Sequence, residues 1–291
     1  MKSLRTWIPR LLIGLLVLLA IAFATVYVQT EWRARKTYTV ALQPLTISYD
    51  SASYQLGKHV ADLRQCGECH GADYGGAVFM NSESPVAELT ASNLTRGRGG
   101  IRYRDQDWIR ALRHGLNPQN NSLWFMPSAE VSVPLSNREL GALIGYLKQQ
   151  PPVDRVLPAS RVKPLGRVLA FLGEFPLFAA EHIDHDARPI DEIQVATNAT
   201  YGAYLATTCM GCHGPRLRGG PPHKPGEPPV SNVSATGHVG RWSAAQFITA
   251  IRTGHTPEGR LLSDAMPWKS FARSYNDAEL TAIYLYMHSL N

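Results

Sequence analysis

The 291-residue sequence predicts an all-α protein in which two helical modules follow a membrane-spanning helix at the N-terminus. Three observations lead to this prediction. An uncharged apolar run lies near the N-terminus, the motif Cys-x-x-Cys-His occurs twice, and the features around the two motifs recur in the same order. We place the modules at residues 49–152 (the first module) and 196–291 (the second module), joined by a connector at 153–195.

The N-terminal segment combines positive charge at residues 1–10 with an apolar run, Leu11 to Val28. This run is just long enough to cross the hydrocarbon of a bilayer as a helix. A signal peptide is the alternative, because Ala22–Ala24 reads Ala-Phe-Ala, a pattern typical of a cleavage site. The run continues four residues past that site, which favours an anchor. Trp32 suits a membrane interface, and residues 29–48 are predicted to form a linker. Both alternatives export the rest of the chain.

The overall charge does not indicate a nucleic-acid partner. Hydrophobic residues make up 44% of the chain and charged residues 18%, an ordinary globular balance. The net charge is +6, and Lys2, Arg5 and Arg10 supply half of it from a segment that holds no acidic residue. No dense basic block follows, so the composition excludes a protein that binds nucleic acid through a charged patch.

The cysteines define the predicted chemistry, because all four lie in the two motifs. The motif residues are Cys66, Cys69 and His70, then Cys209, Cys212 and His213. Export permits disulfides, and Cys-x-x-Cys can be a redox pair, but such a pair does not need the histidine that follows each time. A zinc site needs four ligands, and each motif offers three. Covalent haem c uses every residue, with two thioether bonds and a proximal histidine.

A haem that transfers electrons needs a second axial ligand, which is commonly methionine. Met126 and Met266 each precede a proline, and they follow the motif histidines at similar distances (126 − 70 = 56 and 266 − 213 = 53). A lone methionine usually fills a core, but the matched context nominates these two as iron ligands. Met80 has no counterpart in the second module and Met287 aligns with Leu147, so both are predicted to pack.

The register of the repeat supports two modules of the same kind. The first cysteines are separated by 209 − 66 = 143 residues, and the double glycines by 219 − 75 = 144. The Ser-Asn pairs at Ser92 and Ser231 are separated by 231 − 92 = 139, and the Met-Pro pairs by 266 − 126 = 140. The order of features is unchanged, so the small drifts indicate loop insertions.

Each module is predicted to contain three helices joined by long loops. The predicted ranges are Gly57–Cys66, Asp105–His114 and Asn137–Gln149, then Tyr201–Cys209, Ser243–Thr253 and Asp277–Ser289. The middle helix of each module ends at a glycine suited to a C-cap. The last helix begins with a capping box, Ser136 with Glu139 and Asn276 with Glu279.

Several polar residues have two interpretations. Asn93 and Asn232 occupy matched places and could bond a haem propionate or cap their own turn. The irregular stretch Gly219–Asn232 could wrap the edge of the cofactor. The connector is broken by charges and a proline and is not predicted to span a membrane; it could pack between the modules, lie on the membrane or meet a partner. Histidines without matched positions are predicted to be surface or loop residues rather than ligands: His59, His114, His182, His185, His223, His238, His255 and His288.

These residues together resemble a known family, the membrane-anchored dihaem c-type cytochromes of the bacterial periplasm. The chain is similar to haem subunits that take electrons from periplasmic alcohol- or sugar-type dehydrogenases. The segments "CGECHG", "CMGCHG", "SNLT", "SNVS", "FMP" and "AMP" and the double glycines carry this resemblance. It implies a class I cytochrome c fold for each module and His/Met coordination of each iron.

The predicted function is a two-haem relay that passes single electrons to an acceptor such as a terminal oxidase or another cytochrome, without being an enzyme itself. Haem is attached outside the cytoplasm, so we expect a single pass through the bacterial inner membrane with both modules in the periplasm. One alternative is a haem subunit fixed within a dehydrogenase or oxidase complex. Another is a dihaem enzyme of the peroxidase or thiosulfate-oxidising type, which would need an open or unusually ligated haem.

Overall fold

The computed structural model describes residues 2–222 and 228–290, beginning with a long helix, α1 (Lys2–Arg35). Its segment Trp7–Arg35 is, within these described residues, the one helix long and apolar enough to cross a membrane. A signal sequence near an N-terminus would meet the same criteria of length and composition. The helix runs without interruption through Ala22–Ala24, the segment that resembles a cleavage site.

The first module contains the predicted helices together with short additional elements. They are α2 (Ser51–Leu63), α3 (Cys66–His70), β1 (Ala77–Met80), β2 (Ala87–Ala91), α4 (Asp105–His114), α5 (Ser128–Val131) and α6 (Asn137–Lys148). The predicted helix Gly57–Cys66 is divided, because Gln65 has a φ of 57° and interrupts the helix before the first cysteine. Ser136 and Glu139 form the predicted capping box at the start of α6.

The connector adds a strand and a helix, β3 (Arg161–Val162) and α7 (Pro164–Phe171), followed by a 3-10 turn at Ala179–His182. β3 pairs with β2, which also pairs with β1, giving an antiparallel sheet in the order β1-β2-β3. Ala87, at the start of β2, lies opposite Val162 of β3. The chain is therefore mostly helical rather than all-α.

The second module repeats the helical order of the first. Its helices are α8 (Ala199–Leu205), α9 (Thr207–His213), α10 (Ala244–Thr253), α11 (Trp268–Ser274) and α12 (Asp277–Ser289), with a 3-10 turn at Val239–Arg241. Ala206 separates α8 from α9, where one helix was predicted. Gly254 adopts a left-handed φ of 77° as the C-cap of α10, matching the predicted role of a glycine there.

The connector wraps the first module rather than lying between the two modules. The carbonyl of Val153 accepts a hydrogen bond from Asn93 Nδ2 at 2.7 Å, next to the strand pairing described above. At the far end, the amides of Asn137 and Arg138 donate to the carbonyls of Ile190 and Asp191 at 2.8 and 3.0 Å. Both ends of the connector are thus bound to the first module.

Three hydrophobic clusters form the interior. The first lies among α2, α4 and α6 and includes Val60, Leu112, Leu140, Leu143 and Ile144. The second lies among α8, α10 and α12 and includes Leu205, Phe247, Ile251, Leu280 and Ile283. The third joins the sheet to the connector through Leu89, Ala170, Leu177 and Phe178. Met287 is buried in the second cluster and Met80 packs against the third, as predicted for both.

The first and last helices of each module cross in contact at a glycine. A Cβ on Gly57 would lie 2.1 Å from the carbonyl oxygen of Ala142, and one on Gly202 would lie 1.8 Å from that of Ala282. No side chain fits between the helices at these crossings. The two contacts are equivalent, so α2 corresponds to α8 with an offset of 202 − 57 = 145.

We expect Gly202→Ala to destabilise the protein, because the added methyl group forces α8 away from α12. The free energy of unfolding should fall by ~1–3 kcal/mol, a typical effect of overpacking, and thermal unfolding followed by circular dichroism measures it. Gly220→Ala is the control, since a Cβ there has no heavy atom within 4 Å. Equal stability of the two variants would contradict the close crossing.

Candidate functional site

A backbone carbonyl orients the histidine of each motif. His70 Nδ1 lies 2.8 Å from the carbonyl oxygen of Ser92, and His213 Nδ1 lies 2.8 Å from that of Ser231. A carbonyl only accepts, so Nδ1 carries the proton and the lone pair is on Nε2. This is the usual arrangement of a metal-binding histidine, whose second nitrogen is held by an outer partner. Burial also lowers the pKa of His70, which favours the neutral ring.

The loop after each motif folds back in the same way. The amide of Gly76 donates to the carbonyl of His70 at 2.7 Å, and that of Gly219 donates to His213 at 2.9 Å. These glycines have φ values of 80° and 72°. Gly76 is therefore equivalent to Gly219, with an offset of 219 − 76 = 143. The offset of 144 obtained from the double glycines was wrong, since this loop contains no insertion.

The matched asparagines cap their own turns. Asn93 Oδ1 accepts from the amide of Thr95 at 2.9 Å, and Asn232 Oδ1 accepts from that of Ser234 at 2.9 Å. Asn93 is buried, and its amide group is bound to the connector as described above. These contacts support the turn interpretation over the propionate one. Each asparagine follows the serine whose carbonyl holds the motif histidine, so the Ser-Asn pair fixes that carbonyl.

The two Met-Pro segments form the same turn. The amide of Ser128 donates to the carbonyl of Met126, and that of Trp268 donates to Met266, both at 2.7 Å. The intervening prolines have φ values of −76° and −77° and ψ values of 54° and 47°, as in an inverse γ-turn. A short helix, α5 or α11, follows each turn. The chain thus presents both methionines in the same local conformation.

Each methionine shares a hydrophobic cluster with the first cysteine of its module. Met126 and Cys66 pack against the cluster of the first module, and Met266 and Cys209 against that of the second. The structure therefore brings the predicted cysteine and methionine of each module to one core.

An arginine fixes the chain segment that follows each methionine. Arg113 Nη1 donates to the carbonyl of Val133 at 2.8 Å, and Arg252 Nη2 donates to that of Tyr275 at 2.8 Å. Burial lowers the pKa of Arg113 to about 10, so the side chain stays charged at neutral pH. The repeated segments "ALRHG" and "AIRTG" contained this signal, but sequence reasoning did not assign it a role.

The thiols do not have the properties of redox or zinc-binding cysteines. All four cysteines are free of disulfides. Burial raises the pKa of Cys66 and of Cys209 to about 12, whereas a reactive thiol has a lowered pKa. Within residues 2–222 and 228–290, no group of three His, Cys, Asp or Glu side chains is placed to hold a metal ion. The raised pKa of the first thiol in each motif therefore counts against a reactive redox pair.

The residues of each module fit a covalently held haem c. The second cysteine of each motif, Cys69 or Cys212, is exposed, whereas the first is half-buried against the core. A planar group bonded to both would lie at the edge of that core. In the first module Gln65 Nε2 and Ser128 Oγ are buried, and neither has a hydrogen-bond partner among the described residues. These polar atoms flank the motif and the Met-Pro turn, where a bound group would satisfy them.

The two motifs meet at the interface between the modules. Arg64 Nη1 donates to Thr207 Oγ1 at 2.7 Å and to Thr208 Oγ1 at 2.9 Å. Arg64 and Thr207 are equivalent residues, each two positions before the first cysteine of its motif. Equivalent residues meet where a twofold axis passes. The modules are therefore related by an approximate twofold axis beside both motifs.

Contacts between the helices obey the same symmetry. His59 Nε2 lies 2.6 Å from Glu279 Oε1, and the hydroxyl of Tyr204 donates to Glu139. Glu139 and Glu279 begin the last helices, and the offset of 145 equates His59 with Tyr204. The hydrogen bond that His59 donates to Glu279 raises the pKa of His59, and burial raises the pKa of Glu139. The interface thus contains two equivalent polar pairs.

The helices that follow the Met-Pro turns cross to the opposite module. Ser270 of α11 donates to the carboxylate of Glu68, which lies inside the first motif. A Cβ on Gly211, the equivalent position in the second motif, would lie 3.7 Å from Glu130 Cγ of α5. Each motif is therefore in contact with the short helix that follows the methionine of the other module. No local pattern in the sequence indicates this exchange.

Among the described residues, the remaining histidines are not arranged as a repeated ligand set. His114 is buried on α4, contrary to the prediction of a surface position, and its Nδ1 lies 3.2 Å from His185 Nδ1. Burial is the main cause of its lowered pKa, about 4. His59 belongs to the interface pair, and His288 Nε2 contacts the carbonyl of Val239 at 3.0 Å. His223 lies outside the described residues, as does part of the stretch Gly219–Asn232.

Comparison with known proteins identifies the class. The family model named cytochrome c matches residues 199–291, which include the second motif and Met266. This part of the chain therefore matches a cytochrome c domain, and membership of that family implies covalently bound haem c.

The particular relatives are subunits of larger enzymes. The chain is 26% identical over 283 residues to the "Alcohol dehydrogenase (quinone), cytochrome c subunit" of Gluconacetobacter polyoxogenes, covering 83% of this chain and 56% of that protein. It is 26% identical to the protein of the same name from Gluconobacter oxydans, over 81% of this chain and 55% of the relative. The "Fructose dehydrogenase cytochrome subunit" of Gluconobacter japonicus is 23% identical over 90% of this chain and 56% of its own length.

These matches confirm the predicted resemblance to the cytochrome c subunits of dehydrogenases and the assignment to electron transport. The chain spans about half the length of the curated relatives it matches, as the shares of 55–56% given above show.

We expect Met266→Ala to leave haem attached but to lower one reduction potential, because a thioether ligand stabilises the reduced iron. Redox titration followed by visible spectroscopy measures the potentials, and the methionine–iron charge-transfer band should weaken. Met287→Leu is a matched control, since Met287 is a buried core residue of the same module. Unchanged potentials in Met266→Ala would show that this residue is not the axial ligand.

Proposed function

We propose that the chain is a dihaem c-type electron carrier with one haem c in each module. The observation that carries this proposal is the approximate twofold arrangement of the two attachment motifs around Arg64. Two equivalent motifs that share one interface are suited to electron exchange between their cofactors.

Each side chain of the two sites has an assigned role. The thioether bonds would be formed by Cys66 and Cys69 in the first module and by Cys209 and Cys212 in the second. His70 and His213 would be the proximal ligands, oriented by the serine carbonyls, and Met126 and Met266 the distal ligands: eight residues in all. The bound haem supplies the ferrous–ferric couple. The protein contributes the ligands, the buried surroundings and the spacing between the sites.

The buried guanidinium of Arg64 acts on both sites. It is 4% exposed, and its positive charge works against the rise in pKa of both Cys66 and Cys209. The same charge favours whichever state of a nearby redox centre is less positive, which is the reduced state. We therefore assign Arg64 the role of a shared charge that raises both reduction potentials.

The anchor and the partners follow from the same proposal. Trp7–Arg35 would remain as a single membrane helix of the bacterial inner membrane, with its N-terminus in the cytoplasm and both modules in the periplasm. The donor would be a membrane-associated dehydrogenase or another redox protein, and the acceptor a terminal oxidase or another cytochrome. The names of the relatives favour a haem subunit within a dehydrogenase complex as much as a free relay. Co-purification from detergent distinguishes these two cases.

A dihaem enzyme is the less favoured alternative. A peroxidase or thiosulfate-oxidising site would need an iron with an open position or an unusual ligand. The Met126 and Met266 turns have the same geometry, with equal 2.7 Å hydrogen bonds, so the two modules do not differ in this way. A high-spin spectrum from one haem would support the enzyme instead.

We expect the double variant Cys209→Ser, Cys212→Ser to retain one covalent haem per chain instead of two. Each module holds its own attachment thiols, so loss of one pair leaves the other intact. Intact mass of the denatured protein together with pyridine haemochrome absorbance gives the number of haems. The reciprocal double variant, Cys66→Ser with Cys69→Ser, is the matched control. Retention of two covalent haems in either variant contradicts the proposal.

We expect Arg64→Met to lower both reduction potentials, because it removes the positive charge placed beside both motifs. Arg64→Lys keeps the charge while losing the paired hydrogen bonds to Thr207 and Thr208, and it should stay closer to the wild type. Lys58→Met is the matched control on the same helix, since Lys58 is exposed and ion-paired with Asp62. A shift confined to one potential would exclude the shared role of Arg64.

A further inference from the structure

Helix α7 of the connector exposes an unusual amount of apolar surface. Leu165, Phe171 and Leu172 are 46%, 39% and 62% exposed. At 100° per residue, Leu165 and Leu172 lie about 20° apart around the helix, and Phe171 lies about 100° from Leu172, so the three side chains cover about a third of the helix circumference. The opposite side is apolar as well, since Gly166 and Ala170 are buried. A helix that is apolar on all sides normally lies in a core or in lipid.

The only charged residue of α7 turns towards α1. Arg167 Nη1 donates to Thr30 Oγ1 at 2.9 Å, and its Nη2 lies 3.2 Å from Glu31 Oε2. The guanidinium also lies 4.2 Å from the centre of the Tyr27 ring. Thr30 is 1% exposed beneath these contacts. The outward side of α7 is therefore left without charge.

A second arginine holds α7 from the side of α1. Arg33 Nη1 donates to the carbonyl of Ala170 at 2.8 Å, and Arg33 Nε donates to Glu181 at 2.9 Å. Arg33 and Arg167 therefore fix α7 along residues 27–33 of α1.

The part of α1 that α7 contacts determines how deep α7 would lie in a bilayer. Leu11 to Val28 would span about 27 Å at 1.5 Å per residue, close to the thickness of the hydrocarbon layer. Residues 27–33 then lie at the boundary between hydrocarbon and headgroups. Trp32, which is 65% exposed, is at the same level, and tryptophan is enriched there in membrane proteins.

We propose that α7 is an interfacial membrane helix, with Leu165, Phe171 and Leu172 inserted into the headgroup region of the bilayer that α1 crosses. The occupant of this face is lipid, because the face continues the apolar surface of α1 at the level where the bilayer ends. Three side chains are too few for the ~800 Å² that each partner of a typical protein interface buries. This proposal rests on the retained anchor of the proposed function.

The consequence is that the first module has a fixed orientation on the membrane. A single helix followed by a flexible linker would allow the module to tumble. With α7 bound both to α1 and to lipid, the sheet and the third hydrophobic cluster are held against the bilayer surface.

Spin labels on single cysteines test this placement in the haem-loaded, full-length protein. The native cysteines are consumed as thioethers, so Leu172→Cys and Leu165→Cys accept the label selectively. The protein is reconstituted in vesicles of phosphatidylethanolamine and phosphatidylglycerol. Collisions with oxygen report lipid, and collisions with a water-soluble nickel complex report water. Val195→Cys, at a site 72% exposed on the connector, is the aqueous control, and Leu19→Cys within α1 is the lipid control.

We expect the nickel collision rate at positions 172 and 165 to be several-fold lower than at 195 and to approach that at 19. A label at 172 that is as accessible to nickel as the label at 195, while the label at 19 is in lipid, overturns the placement of α7 and leaves the anchor intact. A label at 19 in water, or an intact mass that shows cleavage before residue 30, shows that the anchor has failed and overturns both.

Discussion

The buried guanidinium of Arg64 is the interaction on which the arrangement of the two modules depends. A charge in a protein interior is costly unless hydrogen bonds compensate for the lost water. Arg64 obtains two of them from the hydroxyls of Thr207 and Thr208, at 2.7 and 2.9 Å, and its guanidinium lies 5.3 Å from the centre of the Tyr204 ring. Both hydroxyls directly precede the second motif. If the modules separated, the guanidinium would lose these hydrogen-bond partners. The need to keep these hydrogen bonds therefore determines how the two motifs face each other.

Pseudosymmetry extends this constraint over the whole interface. Once Arg64 meets Thr207, the repeat places His59 against Glu279 and Tyr204 against Glu139 without further adjustment. The chemistry of the two pairs differs, because one is a histidine–carboxylate pair and the other a tyrosine–carboxylate hydrogen bond. The two halves of the interface thus share one geometry although their side chains differ.

The sequence predicts well what neighbouring residues determine. Capping boxes and the C-cap glycine depend on groups within a few positions of each other, and they formed as expected. The pairing of β2 with β3 places Ala87 opposite Val162. These residues are far apart in the sequence, and no local pattern predicts such a contact. The repeat does not indicate the role of Arg64 either, because the equivalent residue of the second module is a threonine, Thr207. Arg64, which organises the interface, thus occupies a position at which the two modules carry different residues.

The connector explains how the two modules differ in their attachment. It pairs with the sheet through β3, packs α7 on α1 and meets the start of α6 at Ile190. The first module is therefore bound to the end of α1 by several independent contacts. Arg64, His59 and the loops that follow the methionines tie the second module to the first. Contacts between side chains therefore run without a break from the end of α1, through the first module, to the interface that flanks both motifs.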